Sequence, residues 1–302
     1  MIAPTDPSAA HARNRVLAGV AMILGTSAAI QLAAALASTE FDRLSPPGVS
    51  SMRFAFGAAI LLLVVRPSYR GRAAGTWTAI VAYGGSLAAL NLSYFAAISR
   101  IPLGIAVSLA FVGPLVMAFA SSRRRRDVGF ALLAGAGVAT LGGIDRPGSI
   151  AGVGLALLAG VAWTGVAYAG RSLGRQTRGV DGLALALPVA ALLTLPFGVA
   201  RIGQLDAKAA LTILVVAVGG LILPFALELE GLRRLEPGTV AVVYSVDPAI
   251  AAAVGFLALG QRLTVPQLCG LVAVVVASIG ATGSAAGRAR GRHLEPSQPA
   301  RA

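Results

Sequence analysis

Charge is what this chain has least of. Of 302 residues, 12% are charged and 56% are hydrophobic, too apolar a balance for a soluble α/β protein of this size. Lysine occurs once, at Lys208, and the two histidines, His11 and His293, lie in the terminal segments. There is no His-x-x-x-His pair, no Gly-x-Ser-x-Gly elbow and no phosphate-binding P-loop. The sequence therefore predicts no catalytic residue, no metal site and no cofactor. An intramembrane aspartyl enzyme would need two facing acids, and Asp247 has only Glu228 as a mate, displaced by most of a half-membrane. The single cysteine, Cys269, permits no intramolecular disulfide and is silent on redox compartment.

What the chain has is long apolar runs. A bilayer core about 30 Å thick takes roughly 20 helical residues to cross. Uncharged stretches of about that length cover residues 16–39, 73–99, 101–122, 128–144, 147–170, 182–200, 209–227 and 263–287. Two more carry one charge each: 47–65 with Arg53 and 237–259 with Asp247. Only short polar connectors separate them, which leaves no room for a soluble domain. Membrane-spanning barrels show alternating segments of about ten residues, whereas these runs are continuous. The expected fold is an all-α integral membrane protein of ten transmembrane helices.

The basic residues orient it. With a cytoplasmic N-terminus, the inside set is Arg13, Arg15, Arg66, Arg70, Arg72, Arg123, Arg124, Arg125, Arg126, Arg171, Arg175, Arg178, Arg233, Arg234, Arg288, Arg290, Arg292 and Arg301, 18 of the 25 basic residues. The outside set is Arg43, Arg100, Arg146, Arg201, Lys208 and Arg262, with Arg53 inside the second helix. Both termini are thus expected in the cytoplasm, and the net charge of +13 reads as a topology signal. The four-arginine run at Arg123 is read the same way, as a cytoplasmic loop rather than a nucleic-acid patch. The first helix also resembles a signal peptide ending at Ala35-Leu36-Ala37, but its apolar run exceeds the roughly 7 to 15 residues of an h-region.

The chain repeats itself. A shift of 134 residues lays "ISRIPLGIAVSLAFVGPL" over "LRRLEPGTVAVVYSVDPAI", matching Arg100 to Arg234, Gly104 to Gly238 and Pro114 to Pro248. Each pair falls at the turn between the third and fourth helices of a five-helix half. Five being odd, the halves must cross in opposite senses, as two inverted repeats. The expected organisation is a cytoplasmic tail at 1–15, repeats at 16–144 and 145–284, and a cytoplasmic tail at 285–302.

Three stretches carry a family resemblance: "PPGVSSMRFAFGAAILLLVVRP", "NLSYFAAISRIPLGIAVSLAFVGPL" and "LPFALELEGLRRLEPGTVAVVYSVDPAIAAAVGFLALGQRLT". They resemble the EamA-type carriers of the drug/metabolite transporter superfamily, and within it the exporters of threonine and homoserine. The resemblance covers about 16–284. It implies a cytoplasmic (inner) membrane carrier that exports small amino acids or related metabolites, in exchange for protons, with lipid, substrate and proton as its partners. A lipid or lipid-linked-sugar flippase on the same scaffold is the alternative. Two departures stand out. Ala110 and Val112 occupy the acidic and threonine places of the subgroup's fourth-helix motif, and Gly260-Gln261 replaces the usual Gly-Glu after the ninth helix.

The candidate site residues follow from cost. Asp247 lies nine residues from Gly238, which at 1.5 Å per residue puts it about 13 to 14 Å deep, close to the midplane. An aspartate at a helix centre costs roughly 2.5 to 3.5 kcal/mol on insertion scales, so it is expected to face a cavity or a partner, and to act in proton coupling. Pro248 cannot donate a backbone hydrogen bond and frees the carbonyl of Tyr244; Pro114 is its counterpart, and the two prolines are candidate hinges. Tyr244 joins the candidate substrate lining. Glu228 is either a second proton-coupling acid, matching the family's Leu-Glu, or an interfacial partner of Arg233 or Arg234; Glu230 is expected in solvent. Arg53, four residues inside its helix, either snorkels outward or turns in to fork onto a substrate carboxylate. Gln31, Asn91 and Tyr94 either face a cavity or bond between helices. Trp77 and Trp163 read as packing or interfacial residues, and the pairs Gly135/Ala139 and Gly170/Gly174 as close-packing devices.

Overall fold

The computed structural model describes residues 7–120, 125–141, 149–177 and 179–294, and among them every regular element is helical. The helices are α1 (Pro7–Ser38), α2 (Phe41–Leu44), α3 (Pro46–Val65), α4 (Ala74–Ile98), α5 (Leu103–Ala110), α6 (Val112–Ala120), α7 (Arg125–Leu141), α8 (Ser149–Gln176), α9 (Asp181–Val199), α10 (Ala207–Ala217), α11 (Leu223–Leu232), α12 (Pro237–Tyr244), α13 (Asp247–Leu259) and α14 (Val265–Leu294). Each apolar run falls on one of these or on a consecutive pair. The ends of the runs near 144 and 147, together with Arg123, Arg124, Arg146, Arg178 and Arg301, lie outside the described residues. The first and last helices outrun their apolar segments, α1 starting at Pro7 and α14 reaching Leu294, because Ala and Arg propagate a helix whatever their hydropathy.

Seven of the described segments are long and apolar enough to cross a membrane, and three shorter apolar helices, Leu103–Val116, Leu132–Leu141 and Val265–Gly280, accompany them. Their outer faces carry large apolar side chains, such as Leu63, Val64, Leu132, Ile150, Leu257 and Val265, all more than 70% exposed. That much apolar surface on a folded chain fits lipid rather than water.

Among the described residues, three of the runs are interrupted. The fourth run breaks at Phe111, between α5 and α6, and the ninth at Ser245–Val246, between α12 and α13. Shifting Leu103–Ala110 by 134 residues gives Pro237–Tyr244, so the two half-helices have the same bounds in the repeat register. In each case a proline just beyond the break, Pro114 or Pro248, withholds the N–H that would continue the ladder. The eighth run passes through a π-helical turn at Val218–Ile222. Pro224 lies four residues beyond Gly220 and removes that carbonyl's usual donor, a recognised cause of such a widening.

The segments interlock rather than forming two separate bodies. α1 packs on α11 and, in the matching place, α8 packs on α4; α3 pairs with α9 and α7 with α14; α1 also meets α13 as α8 meets α6. Glycines set the closest approaches. A Cβ at Gly104 would lie 2.8 Å from the Cα of Ala252, and one at Gly137 would lie 2.7 Å from the carbonyl of Gly270. Gly113 and Gly160 bring the backbones of α6 and α8 into direct contact. The expected packing pairs are corrected in part: Gly135, Ala139 and Gly174 are exposed, and a Cβ at Gly135 or Gly174 would meet nothing, whereas one at Gly170 would lie 3.1 Å from the Tyr83 ring. Small-residue spacing marks a helix face without saying which face meets a neighbour, and Gly137, two residues on, is the one that does.

Candidate functional site

A cavity of about 470 Å³ opens where the interrupted helices meet the bundle. Its wall is drawn from both halves of the chain: Gln31 of α1, Arg53 of α3, Asn91 and Tyr94 of α4, Ala110, Phe111 and Pro114 around the first break, Trp163 and Thr164 of α8, Gly220 of the π-turn, Glu228 of α11, and Tyr244 and Asp247 beside the second break. The lining is mostly apolar, with a few convergent polar groups, which is the usual character of a small-molecule site.

Arg53 is turned inward and only 5% exposed. It sits in the first half of α3, a helix opened by Ser45, whose hydroxyl accepts from the backbone of Gly48. Its guanidinium carbon lies 5.2 Å from the ring centre of Phe95 and 6.0 Å from that of Phe54, within the range of cation–π attraction. Among the described residues it makes no ion pair, and its Nε has no hydrogen-bond partner. Gly220 leaves room for it: a Cβ there would lie 3.5 Å from the arginine Nη1 and 2.7 Å from Ala33.

Asp247 is also 5% exposed and opens α13. Ser27 and Gln31 of α1 border its carboxylate, yet neither Asp247 Oδ1 nor Ser27 Oγ completes a hydrogen bond. Tyr94 donates its hydroxyl to Gln31 Oε1 at 2.9 Å and stands within electrostatic reach of both Arg53 and Asp247. Asn91 is buried and donates to the carbonyl of Leu87 on its own helix at 3.1 Å while its side chain borders the cavity. Arg53 does not snorkel outward; Gln31, Asn91 and Tyr94 all line the cavity, and the Tyr94–Gln31 hydrogen bond also joins α4 to α1, so both alternatives for that pair hold at once.

Glu228 faces the cavity beside the Tyr244 hydroxyl. It is not the partner of Arg233 or Arg234. Glu230 takes that part, at 3.2 Å from Arg233 and 2.8 Å from Arg234, and its side chain stays 38% exposed. Two residues apart on a helix, the acids point to different sides. Tyr244 presents its side chain to Glu228, not only its freed carbonyl. Pro114 lines the cavity, and Pro248 is buried behind it in the first turn of α13.

Sequence reasoning missed several lining residues. Trp163, read as packing, meets Phe111 edge-on at 5.7 Å between ring centres, and both border the cavity. Tyr83, Tyr168 and Arg171 line it as well. None carries a burial cost that would single it out, so only the helix rotation identifies them. Ala110, in the family's acidic place, is buried and on the wall. Gln261 has a different position: its Oε1 accepts from the backbone N–H of Leu103 at 2.9 Å and caps α5 from across the bundle.

The EamA-like transporter family matches residues 150–283. The threonine/homoserine exporter RhtA of Escherichia coli (strain K12) is 35% identical over 268 residues, spanning 87% of this chain and 90% of that protein. The protein of the same name from Salmonella typhimurium (strain LT2) is 34% identical over 270 residues, with the same coverage. A solved crystal structure at 20% identity covers 94% of this chain and 99% of its own, with a TM-score of 0.57, a likeness of fold.

Proposed function

Since the chain belongs to the EamA-like transporter family, we propose that it is a secondary active transporter that exports small amino acids or related metabolites across the inner membrane by proton antiport. Threonine and homoserine, the substrates in the name of its relatives, are the first candidates. The observation that carries the reading is a buried Arg53 and a buried Asp247 on the wall of one cavity, neither in an ion pair among the described residues. A desolvated charge costs several kcal/mol unless something compensates it, and within a membrane such groups mark substrate or ion routes.

Ten transmembrane helices in two inverted repeats, with both termini cytoplasmic, would put the cavity between the repeats near the midplane, where such carriers bind. Three features support this arrangement: the 134-residue register, the matching breaks in the fourth and ninth runs, and the exchanged pairings of α1 with α11 and α8 with α4. Arg53 holds the substrate carboxylate, Asp247 exchanges protons, and the breaks before Pro114 and Pro248 let the half-helices tilt during alternating access.

Reconstituted protein tests this directly. Proteoliposomes loaded with radiolabelled threonine or homoserine should release it when a pH gradient is imposed. Arg53→Lys, which keeps the charge but loses the planar fork, should cut transport at least tenfold without lowering the amount of inserted protein. Asp247→Asn should abolish gradient-driven release and leave substrate-for-substrate exchange partly intact. Release at the wild-type rate by the Asn variant would remove Asp247 from the coupling. A lipid flippase would ignore the amino acids altogether.

A further inference from the structure

The two buried charges are kept apart by their neighbours. Tyr94 stands within electrostatic reach of both, and its hydroxyl is committed to Gln31, which in turn borders Asp247. Arg53 is clasped between the rings of Phe54 and Phe95. Buried opposite charges ordinarily close on one another, because each one alone is costly. This pair does not, and each member keeps an unsatisfied atom, Arg53 Nε and Asp247 Oδ1. A ligand with an anionic end and a cationic end is the chemistry that would satisfy both.

Resting on the amino-acid transport reading above, we propose that the cavity holds its substrate as a zwitterion, carboxylate on Arg53 and ammonium on Asp247, and that the coupled proton competes with the ammonium for the same Asp247 carboxylate. Antiport then needs no separate proton site. Protonated Asp247 is neutral and has no Coulombic hold on an ammonium group, while an ammonium in place keeps the carboxylate charged. The proton adds to Asp247 as the ammonium leaves and departs as the next one arrives.

The groups around Asp247 leave it as the site of this competition. α1 contributes the uncharged Ser27 and Gln31, α4 contributes Tyr94, α12 contributes Tyr244, and α3 brings Arg53 beyond Tyr94. α5 adds only apolar wall, Val107 and Ala110, and among the described residues α14 adds none to the lining. The other acid within electrostatic range is Glu228 of α11, and it has the Tyr244 hydroxyl as its own partner.

Calorimetric titration of threonine into the purified full-length protein tests this, run from pH 5.5 to 8.5 in pairs of buffers with different ionisation enthalpies so that proton release is counted. The expected result is release approaching one proton per threonine at the acid end, with affinity there falling up to tenfold for each unit of pH. A 3-hydroxy acid lacking the ammonium should bind without release. Asp247→Asn should lose both the release and the pH dependence, while Asp247→Glu, which keeps a carboxylate and guards against a folding artefact, should retain them. Glu228→Gln should also retain them. Threonine binding that is independent of pH, or release that persists in the Asn variant or vanishes in Glu228→Gln, overturns the shared-carboxylate proposal while leaving amino-acid transport standing. No binding of threonine or homoserine at any pH overturns both.

Discussion

At the scale of single residues, burial separates sites from scaffolding. Gly104 and Gly135 illustrate the scaffold. A methyl group on Gly104 would fall 2.8 Å from Cα and Cβ of Ala252, in the contact that joins α5 to α13, whereas one on Gly135 would meet open space. Gly104→Ala should therefore destabilise the protein by about 1 to 3 kcal/mol, the usual cost of overpacking. Gly135→Ala should be neutral or gain roughly 0.5 to 1 kcal/mol from helix propensity. Thermal unfolding in detergent followed by tryptophan fluorescence would separate the two, and equal shifts would mean the α5–α13 approach is looser than described.

Helix ends carry the next level of specificity. Gln261, beyond the end of α13, caps α5 by accepting from Leu103 N–H, so the two helices that meet at Gly104 are tied again at their ends. Gln261→Leu leaves that donor without a partner and should cost about 1 to 3 kcal/mol; Gln261→Glu keeps an acceptor and should cost less, on the same unfolding assay. Asp206 does comparable work for α10. Its carboxylate accepts from Ala209 N–H at 2.8 Å and pairs with Arg43 at 2.9 Å, and the amide first, then the arginine, holds its pKa below the usual carboxylate value. A lowered pKa means the contribution is complete above the unfolded value of about 4 and is lost as the pH falls through the folded value. Hydrogen exchange at Ala209 and Ala210 should accelerate in that acid range in the wild type. In Asp206→Ala it should already be fast at neutral pH.

For the whole molecule, the arrangement of helices in the membrane is the quantity to test. Inverted repeats with cytoplasmic termini put the α3–α4 connection inside and the α9–α10 connection outside. In a Cys269→Ser background, Gly203→Cys should react in intact cells with a membrane-impermeant maleimide, and Ser68→Cys should react only after lysis. Both positions are exposed, so a failure to label would report sidedness rather than burial. The opposite pattern would reverse the orientation, and labelling of both from one side would remove the repeat.

Much of this protein follows from linear pattern. Length and continuity of the apolar runs define the helices because a bilayer demands internally satisfied backbone. Pro114 and Pro248 mark the broken ones because a missing N–H acts on its own helix whatever lies beside it. Asp247 stood out for a similar reason, since a charge at that depth is costly in any packing. The rotation of each helix about its axis is different: it depends on which faces meet. Arg53 and Glu228 each had two outlets compatible with the sequence, and only the packing of α3 beside Phe95 and of α11 beside Tyr244 turns them into the cavity. Trp163, Tyr83 and Arg171 gave no signal of a place on the cavity wall. The separation of Arg53 from Asp247 by Tyr94 and Gln31 joins residues of four helices, and a relation between faces of distant segments exists only once those segments have packed.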